Sequence, residues 1–240
     1  MPKAPGQLNG RVALISGASR GIGAALAKRY AAEGAQVVLM ARTQAGLEEV
    51  DDAIRRTSDG MVQATLVPID LKNGDDIDRL AAAVAERFGK LDIMVANAAV
   101  LGDMSPVSHI EPADWDDVIA VNLTANWRLV RALEALLLKS DAGRAIFLTS
   151  GVAGGRAYWG SYAITKTAIE ALARTWAEEM DNTSLRINTV NPGRVRTAMR
   201  AKAYPGEDPA TLSSPDDITD IFVELAMPHC MRHGEILNAQ

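Results

Sequence analysis

The sequence predicts an α/β protein, a single doubly wound parallel sheet of about seven strands with helices on both faces. Three observations carry this prediction. Short apolar runs alternate with longer amphipathic stretches along the whole chain. The runs lack polar alternation, as expected of strands covered on both faces. The connections are short, which suits right-handed crossovers between parallel strands.

Taken in order, residues 12–15 form a first strand, and a glycine-rich turn leads into an alanine-rich helix over 21–32 that Gly34 ends. A strand over 36–40 and a helix over 45–56 follow, then a strand over 62–69, a helix over 75–88 and a strand over 91–96. A long helical stretch covers 112–138, a fifth strand 144–149, a second long helix 161–180 and a sixth strand 185–190. A short helix over 215–226 and a short strand over 235–237 close the order. No linker-like composition divides the 240 residues, so one domain is expected, with 1–10 as a short lead-in.

Composition narrows the function. Hydrophobic residues make up 48% and charged residues 23%, and the formal net charge is -5. A nucleic-acid binder usually carries a basic surplus, which is missing here. No apolar run approaches the roughly 18 residues of a membrane span. The first ten residues hold Pro and Gly in place of an apolar signal-peptide core, so a cytoplasmic protein is expected. The single cysteine, Cys230, excludes an internal disulfide and a multi-cysteine metal site. His109, His229 and His233 have no metal-ligand spacing, so no metal is expected.

The most informative short segment is Ser16-Gly17-Ala18-Ser19-Arg20-Gly21-Ile22-Gly23, placed between the first strand and the first helix. Glycines there allow a tight turn and let a pyrophosphate approach the helix N-terminus, where free N–H groups and the helix dipole favour an anion. A plain turn before a helix is the alternative. The pattern G-x-x-x-G-x-G, preceded by serine, resembles the fingerprint of the short-chain dehydrogenase/reductase family. That resemblance implies a Rossmann-type fold and an oxidoreductase, and it extends from Gly10 to about Leu237. The stretches 138–143 and 155–162 look like those of a bacterial subgroup of oxidoreductases in that family.

The end of the second strand should meet the adenosine ribose. NAD enzymes usually place a carboxylate there. From Ala35 to Leu47 this chain has no acidic residue and carries Ala41 and Arg42 instead. A guanidinium suits a 2′-phosphate, and Arg20 adds a second cation, so NADP(H) is expected over NAD(H). Solvated surface arginines are the alternative. In the family an aspartate at the position of Asp70, next to Leu71, contacts the adenine; a capping or turn role fits Asp70 equally well. Asn97 stands in Ala96-Asn97-Ala98-Ala99, where the family pattern is Asn-Asn-Ala-Gly. The resemblance gives Asn97 a cofactor contact.

Tyr162 and Lys166 lie four residues apart on one face of a predicted helix. A phenol has an ordinary pKa of about 10, and a nearby ammonium should lower it. So tuned, a tyrosine serves as general acid in reduction and general base in oxidation. Ser150 ends the fifth strand, at the crevice end of the sheet, where a hydroxyl can bond a substrate oxygen. Asn122 lies on the long helical stretch. The resemblance implies an Asn–Ser–Tyr–Lys tetrad of Asn122, Ser150, Tyr162 and Lys166, with Asn122 supporting a water chain to the lysine. The Ser–Tyr spacing is one residue shorter than usual in the family. A fixed alignment places Gly151 at the serine position, and Thr149 is the next candidate hydroxyl.

Pro192, Gly193, Val195 and Thr197 follow the sixth strand and match the family segment that rests against the nicotinamide. Residues 197–214, with Pro205, Gly206 and Pro209, read as a substrate lid. Trp159, three residues before Tyr162, either lines the substrate crevice or packs. The expected partner is a small carbonyl or alcohol. The resemblance further implies a homo-oligomer, a dimer or a tetramer. A nucleotide-binding protein without catalysis, acting as a sensor, is the second reading of the same residues.

Overall fold

The computed structural model describes residues 6–58 and 62–240. Residues 1–5 of the expected lead-in lie outside the described residues. β1 (Val12–Ser16), α1 (Gly21–Ala32), β2 (Gln36–Ala41), α2 (Gln44–Thr57), β3 (Thr65–Pro68), α3 (Gly74–Phe88) and β4 (Ile93–Ala96) make the first half. α4 (Pro112–Ile119) and α5 (Ala125–Leu138) are joined by a π-helical turn, Ala120–Thr124. β5 (Arg144–Leu148), α6 (Gly160–Glu179), β6 (Arg186–Asn191), α7 (Ala198–Ala203), α8 (Asp220–Ala226) and β7 (Ile236–Asn238) complete the chain.

The strands form one seven-stranded sheet in the order β3-β2-β1-β4-β5-β6-β7. Every pairing is parallel, with Ile15 opposite both Leu39 and Val95 at the centre. Alternate residues of β1 serve opposite layers: Ala13 and Ile15 pack with Leu26, Tyr30 and Phe222, whereas Val12 and Leu14 pack with Leu133, Phe147 and Trp176. This two-sided burial is why the strands read as unbroken apolar runs. The strand order reverses between β1 and β4, and a ligand crevice forms beyond the carboxyl ends of strands at such a switch point.

Three elements differ from the sequence expectation. The third strand is shorter than 62–69, because the Ala64 amide donates to Asp51 Oδ1 of α2 at 2.7 Å and not to a strand. The stretch 112–138 is not one α-helix. Within its π turn the Asn122 carbonyl accepts from Asn126 Nδ2 at 2.6 Å, and such turns occur often at functional sites. The segment 215–226 is a 3₁₀ turn, Asp216–Ile218, followed by α8. Residues 197–214 carry α7, and the base of this segment is tied where Val195 bridges Ser213.

Candidate active site

A cleft of about 1250 Å³ runs along the carboxyl ends of the central strands. Its floor at one end is the glycine turn. Gly17 and Gly21 have φ of 66° and 58°, a region that side chains rarely adopt. A Cβ on Gly17 would lie 2.9 Å from the Ala98 backbone, and one on Gly23 would lie 2.3 Å from the Gly17 carbonyl oxygen. The turn is therefore packed to the limit of bare backbone. Ser16, wholly buried, accepts from the amides of Asn97 and Ala98, each at 3.0 Å. Asn97 Nδ2 returns hydrogen bonds to the carbonyls of Ser16 at 2.8 Å and Gly17 at 3.2 Å. Asn97 thus braces the turn from β4 and lines the cleft as well.

The first turn of α1 has no acidic residue and no side-chain cap from Arg20. Its amides are left for an anion in the cleft. Arg20 and Arg42 are exposed and line the same cleft, and neither is in an ion pair among the described residues. Lys72, which sequence reasoning passed over, bonds Asp117 at 2.8 Å across this end. Lys28, also unforeseen, lies seven residues beyond Gly21 on the cleft face of α1 and pairs with Asp216 at 3.1 Å. That i, i+4, i+7 spacing was the available signal. Asp70 lines the cleft with Leu71, and its Oδ1 accepts from the Lys72 amide at 3.0 Å, a turn geometry. A glycine cradle, open helix amides and unpaired guanidinium groups are the donor set that a phosphorylated dinucleotide requires.

Ser19, Gly21, Ile22, Pro192 and Thr197 also line the cleft. Gly23 sits below the turn and does not. Gly193 and Val195 do not face it either. Gly193 makes an exposed turn against the Gln240 side chain, and the Val195 side chain is buried in the core. Thr197 caps α7, its hydroxyl accepting from the Arg200 amide at 3.1 Å.

Tyr162 and Lys166 share the cleft at its other end, and both are buried. Lys166 Nζ lies 5.7 Å from the Tyr162 ring centroid and donates to the Leu148 carbonyl at 2.7 Å. Burial holds the lysine down at about 8 and pushes the phenol up to about 12, with the nearby Ser150 hydroxyl acting in the opposite sense. Burial is the largest influence on the phenol, so it stands above its ordinary value and not, as expected, below it. Ser150 does not itself line the cleft, and no aligned hydrogen bond joins it to Tyr162. Thr149 does line the cleft, but its buried hydroxyl donates to Glu170 at 2.6 Å. The short spacing after Ser150 is taken up by tight turns in which Ala153 N bonds Ser150 O and Gly155 N bonds Val152 O.

Asn122 is buried on the π turn. Its amide clasps Val100, with Oδ1 accepting from Val100 N at 2.8 Å and Nδ2 donating to Val100 O at 2.9 Å. It also donates to Thr165 at 3.2 Å. The side chain holds the loop after β4 against α6 and makes no bond to Lys166.

The family model for short chain dehydrogenases matches residues 11–208. The chain belongs to the short-chain dehydrogenase/reductase family. It shares 41% identity over 219 residues with the uncharacterized oxidoreductase YciK of Escherichia coli (strain K12), covering 91% of this chain and 86% of that one. A short chain dehydrogenase structure from Salmonella enterica serovar Typhi superposes with a TM-score of 0.94 at 39% identity, covering 100% of this chain and 99% of the other. An Escherichia coli CFT073 protein solved in complex with NADPH superposes with a TM-score of 0.93 at 40% identity, each chain fully covered (100%). As a short-chain dehydrogenase/reductase, the protein is an oxidoreductase that uses NAD(P).

Proposed function

We propose that the protein interconverts a carbonyl and a secondary alcohol with NADP(H), and that Tyr162 transfers the proton. The observation that carries this reading is convergence: Tyr162, Lys166 and the open N-terminus of α1 face one cleft whose far end holds Arg20 and Arg42. When bound, the nicotinamide supplies or accepts the hydride. The α1 amides and the glycine turn would hold its pyrophosphate, Arg42 and Arg20 the 2′-phosphate, and Asn97, Pro192 and Thr197 its nearer rim. Gly193 and Val195, which do not line the cleft, act through the turn they shape.

The chain's own groups divide the proton work. Tyr162, neutral at physiological pH, donates from its phenol oxygen to the carbonyl oxygen. Lys166, still largely an ammonium at pH 7, stabilises the phenolate left behind. Ser150, beside the cleft-lining Thr149, would turn its hydroxyl into the cleft to orient the substrate oxygen, and Asn122 fixes the loop that walls the site. Residues 197–214 cover it as a lid on the single domain. NADPH oxidation with a panel of aliphatic and aryl ketones, compared between wild type and Tyr162→Phe, tests the reading. Tight NADPH binding with no turnover of any ketone would instead favour a nucleotide sensor.

Ser150→Ala is expected to lower kcat for ketone reduction by about 10- to 100-fold, the range for a lost orienting hydrogen bond at the reacting atom. Because Thr149 is tied to Glu170, it offers no substitute. Turnover near wild type would remove Ser150 from the mechanism. We also read the chain as at least a dimer: Trp127 on α5 and Ile164 on α6 stand 48% and 41% exposed, on the helices that pair in relatives of the family. Light scattering that finds only monomer would reject this.

A further inference from the structure

The lid helix α7 is too short to hold its own shape, since isolated helices of a few residues are unstable in water. Something else must fix it, and a chain of contacts leads from it to Tyr162. Arg200 Nε and Nη2 donate to Glu207 Oε2 and Oε1 at 2.5 and 2.6 Å, a bidentate pair. Both side chains are about four-fifths buried, at 18% and 20% exposure. The same guanidinium stands 3.8 Å from the centroid of the Tyr204 ring. Tyr204 meets Trp159 at 5.8 Å between centroids, and Trp159 meets Tyr162 at 5.9 Å. Leu101, Val152 and Ala163 close this cluster, and Met199 and Ala203 join it from the lid.

The backbone beside Trp159 points the same way. Tyr158 has φ of 69° and is the only non-glycine described residue in the left-handed region. Its side chain is 64% exposed, so it gains little there itself. Such a conformation persists only where the surroundings fix it. Here they do so on both sides. Trp159 is buried between two aromatic rings, and Gly160 passes so close to Ile110 that a Cβ would lie 2.8 Å from it. The turn at Tyr158 leads directly into Trp159, whose ring packs against that of Tyr162 at a tilt of 49°.

We propose that Trp159 and Tyr204 are positioning residues for Tyr162, clamped by the Arg200–Glu207 pair, so that docking of the lid and placement of the phenol are one event. This rests on the reading of Tyr162 as the proton donor. Breaking the clamp frees Tyr204, which uncovers Trp159, which in turn lets water and motion reach the phenol. A lid that only covers the site has no such effect on the tyrosine. Lys202, which donates to the Gly102 carbonyl at 3.1 Å on the opposite wall, is a separate tether and leaves this route intact.

Hydrogen exchange read by mass spectrometry tests the coupling without reference to activity. In Glu207→Gln, amide exchange is expected to rise about tenfold or more in residues 198–208 and also in 155–163. The conservative Glu207→Asp, which keeps a carboxylate for Arg200 and leaves the guanidinium on Tyr204, should hold both segments closer to wild type than Glu207→Gln does. Faster exchange confined to 198–208, or no rise at all, would overturn the proposal. The kinetic arm uses Trp159→Leu and Trp159→Phe with acetophenone and NADPH. The leucine variant should lose about tenfold or more in kcat with KM within about threefold of wild type. The phenylalanine variant, which keeps an aromatic ring in the stack, should retain about a third or more of kcat. A loss in KM alone would make Trp159 a binding wall and refute the positioning role. If wild type reduces no ketone, the proton-donor reading fails, and exchange in the two segments alone decides whether the lid and the tyrosine helix are coupled.

Discussion

Tyr162→Phe is expected to lower kcat for ketone reduction about 10³-fold, with NADPH affinity changed less than about threefold. The substitution deletes one oxygen and keeps the ring, so the contacts with Trp159 and the buried packing survive. What is lost is the general acid, a contribution of about 10²–10⁴ in rate, or roughly 4 kcal/mol at its centre. Burial holds the phenol at about 12, so it remains protonated throughout the physiological range and is ready to donate. The phenolate it leaves is stabilised by Lys166, whose own proton is lost as pH rises through about 8. Reduction in the wild type should therefore decline about tenfold per pH unit above that value, and the residual rate of Tyr162→Phe should lack this limb. The sign for stability is opposite. Between about 8 and the ordinary lysine value of 10.5 the unfolded chain binds the extra proton, so rising pH relieves the cost of a buried ammonium. A pH–rate profile of kcat/KM and a denaturation series over the same range separate the two effects. A phenylalanine variant within tenfold of wild type would remove Tyr162 from the proton transfer.

The strands and their helices are legible in the sequence for a physical reason. A sheet covered on both faces needs β1, β2 and β4 to be apolar at successive positions, and the helices between them need glycine, capping and polar faces at their ends. The cofactor end is legible too, because a bare-backbone turn admits almost nothing but glycine at Gly17 and Gly23. What stays hidden is whatever depends on chain segments meeting. The π turn around Asn122 cannot be told from an α-helix, since the Asn122–Asn126 pair has ordinary helical spacing. Ser16 and Asn97 show their mutual bracing only once β1 and β4 lie side by side. The left-handed Tyr158 gives no sign, tyrosine being no turn residue. Arg200 and Glu207 look like two solvated charges flanking Pro205 and Gly206 until the chain folds back and joins them. Spacing places the ammonium beside the phenol but conceals the desolvation of both groups, which raises the phenol and lowers the lysine.

Arg42→Asp is expected to weaken NADPH about 100-fold while leaving NADH within about threefold or binding it more tightly. The guanidinium sits just past β2, where the adenosine ribose of a dinucleotide lies in this fold. Two charge-assisted hydrogen bonds to a 2′-phosphate are each worth about 1.5–3 kcal/mol, and the exposed position reduces this. The aspartate adds repulsion toward that phosphate and supplies the acceptor that a free 2′-hydroxyl prefers. Arg20 remains beside the glycine turn, so some NADPH affinity should persist; adding Arg20→Ala to the variant should remove most of it. Affinities for both cofactors, measured at one fixed ionic strength, check the prediction. The contrast with the turn is what makes it decisive. A Cβ at Gly23 would lie 2.3 Å from the Gly17 carbonyl oxygen and push out of shape the turn that NADPH and NADH share, so Gly23→Ala should weaken both alike. Equal loss of the two cofactors in Arg42→Asp would place Arg42 with that shared cradle, or with the general field of the cleft, and would take the NADP(H) preference away from this residue.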